Sequence, residues 1–420
     1  MKKSIWSTVV LAPAVVFSVG CSNKKNAATV FNEKENLNKA TCAEQTVKNR
    51  FIVQWENKRV SIVNATDAED FKKNFLEKNL ENIKSASFDH RVQILENFNA
   101  GQKSPRPYLT ENLQSQDSSW GIDLIEAKSL WLQNIVGENI TVAVVDSFVD
   151  ITHPQLSSHI YTNKNELANG KDDDYNGYVD DLHGISLAGA GSAVKSQHGT
   201  HIAGIIAADP NVGLAMGVAP KATILPAQFL DDEGGGNLGD ALLAIQYAVD
   251  QGAKIINASW GGSECNSTFR QALVELEKRN VLFVAAAGND GRDLDSYSVS
   301  PASFNLSFQI TVAAASVNDL MTSWSNRSFN LVHIAAPGES ILSTVPDNKL
   351  AYFSGTSMAA PFVSGAAALL WSAYPQASVQ QIRAALLDSA QTEQGREYKV
   401  TTRGRLNVRK AFELLKQRIN

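Results

Sequence analysis

The chain contains very few cysteines, and none is placed to form a metal site. Cys21, Cys42 and Cys265 are the only three in 420 residues, and no two are spaced as C-x-x-C. This scarcity excludes a dense disulfide framework and gives no support for cysteine-ligated zinc. Cys42 and Cys265 could pair in an oxidising compartment, but we expect two separate thiols.

An excess of basic residues is also lacking. Lys and Arg number 38 against 43 Asp and Glu, so the net charge is −5, and no basic stripe is present. A nucleic-acid partner is therefore disfavoured. Beyond the N-terminus no segment is apolar for long enough to span a bilayer, so the sequence predicts membrane contact only through a lipid anchor.

The N-terminus predicts export. "MKKSIWSTVVLAPAVVFSVGC" combines a basic start, a short apolar run and small residues at its end, which is typical of a secretory signal over residues 1–20. The tail "SVGC" is similar to a bacterial lipobox, in which the cysteine, here Cys21, is lipidated. Ser18 departs from that pattern, and ordinary signal cleavage also fits. We expect a lipoprotein at the membrane, facing the periplasm or the cell surface, or a secreted protein.

Glycine is nearly absent from the first quarter of the chain. Of 27 glycines only Gly20 and Gly101 precede residue 121. Residues 22–115 instead contain the strand-like "RFIVQW", an amphipathic helical pattern from residue 67 and an exposed-linker composition at 104–119. They predict a small α+β unit with a cleavable linker; a partly disordered tether is the alternative. A second unit covers residues 116–420.

Short apolar runs recur throughout this second unit, with helical patterns between several of them. Continuous apolar strands that alternate with helices predict an α/β fold, a mostly parallel twisted sheet with helices on both faces. In such sheets, sites form beyond the carboxyl ends of the strands. The runs are "ITVAVVD", "ATILPAQFL", "AKIINASWG", "VLFVAAAGN", "QITVAAAS" and "LVHIAAPG".

Four polar residues stand at predicted strand or helix ends in an order that suits acyl transfer. Asp146 ends the first run, His198 and Ser357 each begin a helical segment, and Asn289 ends "AAAGN". A serine needs an imidazole to take its proton, the imidazole needs a carboxylate, and the oxyanion needs fixed donors. Singly, each has an ordinary structural explanation as a cap or turn residue. His198 and His201 lack the spacing of a zinc-protease pair.

Several motifs of the chain resemble the subtilisin-like serine proteases over roughly residues 115–415. They are "VAVVDSFVD", "HGTHIAGIIAA", "GVAPKATILPAQFLD", "INASWGG", "AAAGN", "IAAPG" and "GTSMAAP". The resemblance implies that Asp146 orients the imidazole, His198 is the general base and then acid, Ser357 is the nucleophile and Asn289 is an oxyanion donor. It also implies that residues 22–115 are a pro-region that occupies the groove as an inhibitor, with cleavage in the linker.

The same resemblance implies two strands that hold the substrate backbone and a pocket for the residue before the cleaved bond. A glycine-rich strand fits close approach by another backbone. Core packing is the equal alternative for Trp260. The loop 291–300 is expected to close the pocket and to favour apolar side chains. The implied groove residues are Gly234, Gly235, Gly236, Leu238, Ser259, Trp260, Gly261, Ala286, Ala287 and Gly288.

One residue near the catalytic aspartate departs from the family pattern. Phe148 stands where most subtilases have glycine. If glycine is needed there for its backbone angles, Asp146 would be displaced; if it is needed only for space, a neighbour has shrunk.

Calcium is the only metal that the sequence suggests, as a structural ion, and no cofactor is required. "DDDYNGYVDD" offers Asp172, Asp174, Asn176 and Asp180 as ligands, like the opening of a calcium loop, against a solvated acidic turn. The family's common calcium site uses a carboxylate nine residues after the catalytic aspartate. Gln155 stands there instead, so the charge of that site is missing.

The sequence therefore predicts an exported serine endopeptidase that acts on protein or peptide substrates. One alternative is a catalytically impaired binding scaffold of the same fold, for which Phe148 is the reason. The other is an esterase, which is disfavoured because no G-x-S-x-G motif surrounds Ser357.

Overall fold

A seven-stranded parallel sheet lies at the centre of the computed structural model, which describes residues 25–31, 45–95, 119–188, 196–263 and 266–419. Its strands are β4 (Thr141–Asp146), β5 (Ile185–Ser186), β6 (Thr223–Gln228), β8 (Ile255–Ala258), β10 (Leu282–Ala286), β12 (Gln309–Ala315) and β13 (Ile334–Pro337). They lie in the order β13-β12-β10-β8-β4-β6-β5, and every neighbouring pair is parallel. Their nearly continuous burial explains the apolar runs.

Helices cover this sheet in two groups. In one group, α5 (His198–Ala207) packs against α8 (Thr356–Ala373), which is buried up to Trp371, and α8 also contacts α9 (Val379–Asp388) and α10 (Val408–Ile419). In the other, α6 (Leu238–Asp250) packs against α7 (Ser267–Lys278). Both groups contact β4, so the predicted α/β fold is confirmed. Two short helices, α3 (Trp120–Leu124) and α4 (Lys128–Trp131), precede β4.

Residues 45–95 form a separate antiparallel unit. The strands β1 (Thr46–Trp55), β2 (Val60–Asn64) and β3 (Ile83–Ile94) pair in the order β3-β1-β2. Between β2 and β3 lies α2, a helix that runs as Ala68–Asp70, a π-helical Phe71–Leu76 and Glu77–Asn79, and ends in a 3₁₀ turn, Leu80–Asn82. Four phenylalanines, Phe31, Phe51, Phe71 and Phe88, form the centre of its own core, beside α1 (Ala27–Val30).

The end of β3 leaves this unit and joins two strands of the α/β unit. It pairs antiparallel with β7 (Gly235–Asn237) on one side and with β9 (Trp260–Ser263) on the other. A short strand, β11 (Val299–Ser300), pairs with β9, and a hairpin of β14 (Ile341–Val345) and β15 (Lys349–Phe353) leads into α8. The two units are therefore held together by main-chain hydrogen bonds as well as side-chain contacts.

Several sequence predictions concern residues outside the described ranges. These are the signal at 1–20, all three cysteines and the linker at 104–119 except for its last residue, Ser119. Among the residues that are described, none of the helices is long and apolar enough to cross a membrane.

Candidate active site

The structure brings Asp146 and His198 into direct contact. Asp146 is the last residue of β4 and is fully buried, and His198 is the first residue of α5. The imidazole Nδ1 lies 2.7 Å from Asp146 Oδ1, which also accepts the Ser147 N–H at 2.7 Å. Because Nδ1 faces the carboxylate, proton transfer at this histidine falls to Nε2.

Ser357 lies in the first turn of α8 and is held by a chain of buried polar groups. Its hydroxyl donates to the Ser259 carbonyl at 3.1 Å, and the Ser259 hydroxyl donates to the Ser357 carbonyl at 3.0 Å. Asn257 Nδ2 donates to that Ser259 hydroxyl at 3.0 Å, and Asn257 Oδ1 accepts from the Ser364 hydroxyl at 2.8 Å. Sequence reasoning missed Asn257 and Ser364, although Asn257 stands inside the motif "INASWGG".

Asn289 is oriented by Thr356, which the sequence analysis also missed. Its Oδ1 accepts the Thr356 N–H at 2.8 Å and the Thr356 hydroxyl at 2.9 Å, so its Nδ2 is directed into the groove. There Nδ2 donates to the carbonyl of Leu95, the last described residue of the N-terminal unit. A peptide carbonyl therefore already lies at the expected oxyanion donor.

The two strands that the sequence analysis assigned to substrate hold residues 91–94. Val92 pairs with Gly236 and Gln93 with Gly235 on one side, while Ile94 pairs with Trp260 on the other. The Ile94 N–H also donates to the Gly234 carbonyl at 2.9 Å. This arrangement is strand addition, in which the main chain supplies the contacts and alternate side chains enter pockets.

The other predicted groove residues are divided between groove and core. The Trp260 side chain is fully buried and donates to the Val145 carbonyl at 2.7 Å, so its backbone forms the groove while its ring packs in the core. Ala286 and Leu238 are likewise buried. Ala287 belongs to the apolar cluster on which Leu95 packs, and the Gly288 N–H donates to the Thr356 hydroxyl at 3.0 Å.

Phe148 does not displace Asp146, whose contact with His198 is intact. Its φ is not among the positive values, so this position needs no glycine for its backbone angles. The Phe148 side chain is only half-buried. Gly199 allows the backbone of this segment to approach α5 closely, since a Cβ there would lie 2.7 Å from the Phe148 carbonyl oxygen and 2.5 Å from that of Ser147. The structural reason for an impaired scaffold is thereby removed.

His201 is a packing residue. It is fully buried, its ring stacks on Phe353 with centroids 4.3 Å apart, and Nε2 lies 3.1 and 3.0 Å from the Ile341 and Ala351 carbonyls. Burial lowers the pKa of His201 to about 3, so it remains neutral.

The loop 209–215, at the family's common calcium site, does not fit a cation. Gln155 is buried, and its Nε2 donates to the carbonyls of Asp209 at 2.9 Å and Ala215 at 2.8 Å. Its Oε1 accepts the Ala215 N–H at 3.3 Å. Carbonyl oxygens that would coordinate a calcium ion instead accept hydrogen bonds from the Gln155 amide, and these hydrogen bonds hold the loop.

The acidic loop, residues 166–181, contains several carboxylates that lie close together. Carboxylate oxygens of Glu166, Asp172 and Asp174 all lie within 4.8 Å of one another. Glu166, which sequence reasoning missed, is buried, and its Oε2 has no hydrogen-bond partner among the described residues. Burial, together with the nearby Asp181 carboxylate, raises the pKa of Glu166. Asn176 donates to Asp174 at 3.1 Å.

Asp180, the fourth predicted ligand, lies apart from that group. Its carboxylate accepts the N–H groups of Asn169 and Gly170 at 3.0 Å. It therefore supports a turn of the loop.

A buried carboxylate of the N-terminal unit caps a helix of the α/β unit. Asp89 is fully buried and accepts the Gly239 N–H at 2.8 Å, in the first turn of α6. Arg50 donates to Asp89 at 2.6 Å and also pairs with Asp240. Burial is the largest influence on the pKa of Asp89 and raises it.

Next to it, His90 touches the start of another helix. Its Nδ1 lies 3.3 Å from Nδ2 of Asn266, whose Oδ1 caps α7 by accepting the Phe269 N–H at 2.9 Å. Since an amide nitrogen can only donate, Nδ1 is the acceptor and the imidazole is neutral. Burial lowers the pKa of His90 to about 4.

Comparisons with known proteins agree with this geometry. Residues 137–411 match the model of the subtilase family. The major intracellular serine protease of Bacillus subtilis (strain 168) is 37% identical over 285 residues, which cover 66% of this chain and 82% of that protein. Subtilisin E of the same strain is 33% identical over 301 residues, covering 71% and 72% respectively.

A relative from a different kind of organism shares the same region. Subtilisin-like protease 2 of Plasmodium falciparum (isolate 3D7) is 36% identical over 272 residues, which cover 63% of this chain but only 20% of that protein. The family match extends over more than half of the chain and includes every element that carries Asp146, His198, Asn289 and Ser357. The chain belongs to the subtilase family and is a subtilisin-like serine endopeptidase.

Proposed function

We propose that this chain is the inactive precursor of an exported endopeptidase, in which Asp146, His198, Ser357 and Asn289 carry the reaction. The observation that carries the proposal is the hydrogen bond from Asn289 to the Leu95 carbonyl, beside the 2.7 Å contact of His198 with Asp146. A peptide of the same chain thus lies where a substrate would be cut.

In the proposed reaction the Ser357 hydroxyl gives up its bond to Ser259 and attacks the carbonyl carbon. Its proton passes to His198 Nε2, and Asp146 stabilises the imidazolium. The oxyanion is held by Asn289 Nδ2 and the Ser357 N–H at the start of α8. The imidazolium then protonates the departing amine. Water hydrolyses the acyl ester by the same route and restores the serine.

Residues up to Leu95 act as an inhibitory pro-region. Strand β3 fills the groove from Arg91 to Ile94, and Asp89 and Arg50 extend the contact onto α6. We propose the bond after Leu95 as the cleavage site, in place of the linker 104–119 expected from the sequence. The pairing of β3 with β7 and β9 supports this choice, because it is consistent with the Leu95 carbonyl lying at Asn289.

The location outside the cytoplasm rests on the N-terminal sequence alone. The signal-like residues 1–20 support export, and Cys21 supports a lipid anchor. One relative has "intracellular" in its name, so family membership does not decide between compartments. Incorporation of radiolabelled palmitate into the wild type but not into Cys21→Ala would support the anchor, and no incorporation into either would contradict it.

We also propose that the acidic loop binds a structural calcium ion. The supporting observations are a buried Glu166 oxygen without a hydrogen-bond partner among the described residues and the group that the Glu166 carboxylate forms with those of Asp172 and Asp174. A cation would satisfy that oxygen and offset the repulsion among the carboxylates. It has no part in the reaction, which requires no cofactor.

The test compares the chain from residue 22 onward with its Ser357→Ala variant. Mass spectrometry should find the wild type divided after Leu95 and the variant whole, and a fluorophosphonate should label only the wild type once the pro-region has been released at pH 5. A wild type that stays whole and is neither labelled nor active on casein after this treatment would favour the scaffold alternative. A cut within 104–119 would leave the endopeptidase standing but contradict the place given to Leu95.

A further inference from the structure

We propose that a cavity between the pro-region and the enzyme binds a long-chain carboxylate, and that this ligand strengthens the inhibited complex. The cavity lies under the turn that joins β1 to β2 and reaches α6 and α7, and its volume is about 290 Å³. This volume is near the lower end of the range for small-molecule sites, which begins at about 300 Å³. The effect on the complex rests on the proposed function, because it takes the N-terminal unit as the inhibitor.

The floor of the cavity is apolar. Two helices of the enzyme contribute side chains that are three or four residues apart, so each helix presents one apolar face to the cavity. The pro-region contributes one further side chain from β2. The floor consists of Leu242, Ile245 and Val249 on α6, Leu273 and Leu276 on α7, and Val60 on β2. An acyl chain that binds here leaves water, which is favourable for each buried methylene.

The rim of the cavity carries more positive than negative charge. Its four cations are Lys58 and Arg59 of the pro-region and Lys278 and Arg279 of the enzyme, and its two carboxylates are Asp250 and Glu275. Asp250 accepts from one arginine of each unit, at 2.5 and 3.3 Å. Glu275 lies 3.1 and 3.2 Å from one lysine of each unit, and 3.3 Å from a third lysine, Lys84. Cations that share one carboxylate repel each other, so a further anion between them is favoured.

Both units line the cavity, so a ligand bound there favours the complex over the separated units. A released pro-region takes Val60, Lys58 and Arg59 away from the site. The dissociation constant of the complex should therefore fall by the factor 1 + [L]/K, where K is the dissociation constant of the ligand from the complex. At a ligand concentration ten times K, this factor is about 11.

The first experiment measures binding of laurate, a single-chain carboxylate, to the whole Ser357→Ala precursor by equilibrium dialysis. The precursor should bind one laurate with a dissociation constant on the order of 10–100 μM. Acetate, which has no chain, should not compete. Dodecyltrimethylammonium, which has a similar chain but the opposite charge, should compete at least about 10-fold less well than laurate.

Ala272 allows the cavity to be filled from within. It lines the cavity and is half-buried, so Ala272→Leu places a larger side chain in the space that laurate would occupy. Val274 lies on the same helix and is 36% exposed, which makes Val274→Leu the matched control. Ala272→Leu should weaken laurate binding at least about 10-fold, whereas the control should stay within about 2-fold.

The second experiment measures release. The processed wild-type complex is diluted at pH 7.5 with and without laurate, and free enzyme is detected with a reporter peptide. Laurate at ten times K should lower the dissociation constant of the complex about 11-fold. In Ala272→Leu the same concentration should leave that constant unchanged. Laurate should not change the activity of enzyme that has already lost its pro-region.

Failure of laurate to bind the precursor, or equal binding by Ala272→Leu and Val274→Leu, would overturn the inference. Equal competition by the cationic amphiphile would overturn it too, as would laurate that binds without lowering the dissociation constant of the complex. A wild type that never yields active enzyme would instead contradict the proposed function. Dialysis with the Ser357→Ala precursor would still decide whether the cavity binds laurate.

Discussion

Acidic pH should weaken the binding of the pro-region to the enzyme, because it protonates His90. This imidazole is buried between the two units, with Nδ1 accepting from Asn266 at the N-terminus of α7. A protonated ring would present its Nδ1–H to an amide nitrogen, Asn266 Nδ2, that can only donate, at the positive end of a helix dipole. Burial accordingly lowers the pKa of His90 from 6.5 to about 4.

The sign and size follow from proton linkage. His90 binds fewer protons in the complex than in the released pro-region, so the complex weakens as the pH falls from 6.5 towards 4. With those two pKa values the dissociation constant rises about 4-fold at pH 6 and about 30-fold at pH 5. Other charged groups at this contact are Asp89, Asp240, Arg50 and Arg91. The raised pKa of Asp89 acts in the opposite direction, because its protonation favours the complex.

A His90→Gln variant isolates the histidine contribution, since Asp89 and both arginines remain. The processed complex is held at pH values from 7.5 to 5, returned to pH 7.5 and assayed at once for free enzyme with a reporter peptide. The dissociation constant of the wild type, obtained from the free enzyme at each pH, should rise between pH 7.5 and pH 5 by a factor about 30-fold larger than that of His90→Gln. Equal pH dependence in the two proteins would refute the reasoning.

Three further predictions concern the loops and the active-site methionine. Gln155→Asp should lower Tm without calcium and make Tm rise with added calcium, because it replaces an amide donor with a carboxylate facing two carbonyls; a calcium-independent Tm in the variant would contradict this. Chelation should lower the Tm of the wild type by several degrees but not that of Glu166→Gln, measured by scanning calorimetry; equal shifts would exclude Glu166 as a ligand. Peroxide should slowly reduce activity by oxidising Met358, which is buried beside Ser357. Unchanged activity with Met358 shown by mass spectrometry to be oxidised would refute that prediction.

The reacting residues were accessible to sequence reasoning because their chemistry depends on local position. Asp146 stands at a strand end, and His198 and Ser357 stand at helix starts, so each is marked by the element that holds it. Residues that position these reacting groups are harder to recognise in the sequence. Asn257 and Ser364 each look like an ordinary core polar residue until folding places them 2.8 Å apart.

The bond after Leu95 could not be found in the sequence, because nothing in "HRVQILENFN" distinguishes one residue as the end of a substrate. Its position depends on the register of β3 against β7 and β9, which is a property of two units meeting. Glu166 was missed for a similar reason. It precedes the acidic run by six residues, and only the return of the chain brings its carboxylate to Asp172.

Strand β3 belongs to both the pro-region and the substrate groove. Its first part packs into the core of the pro-region through Phe88, and its last part fills the groove. Cutting the bond after Leu95 leaves the described pairing of β3 with β7 and β9 and the Asp89 cap in place, so the cut alone should not free the enzyme. Exposed pairs such as Arg59 with Asp250 contribute little to holding the units together. The buried Asp89 cap and the neighbouring His90 contribute more, which makes proton uptake at this contact, rather than cleavage, the step that we expect to control activation.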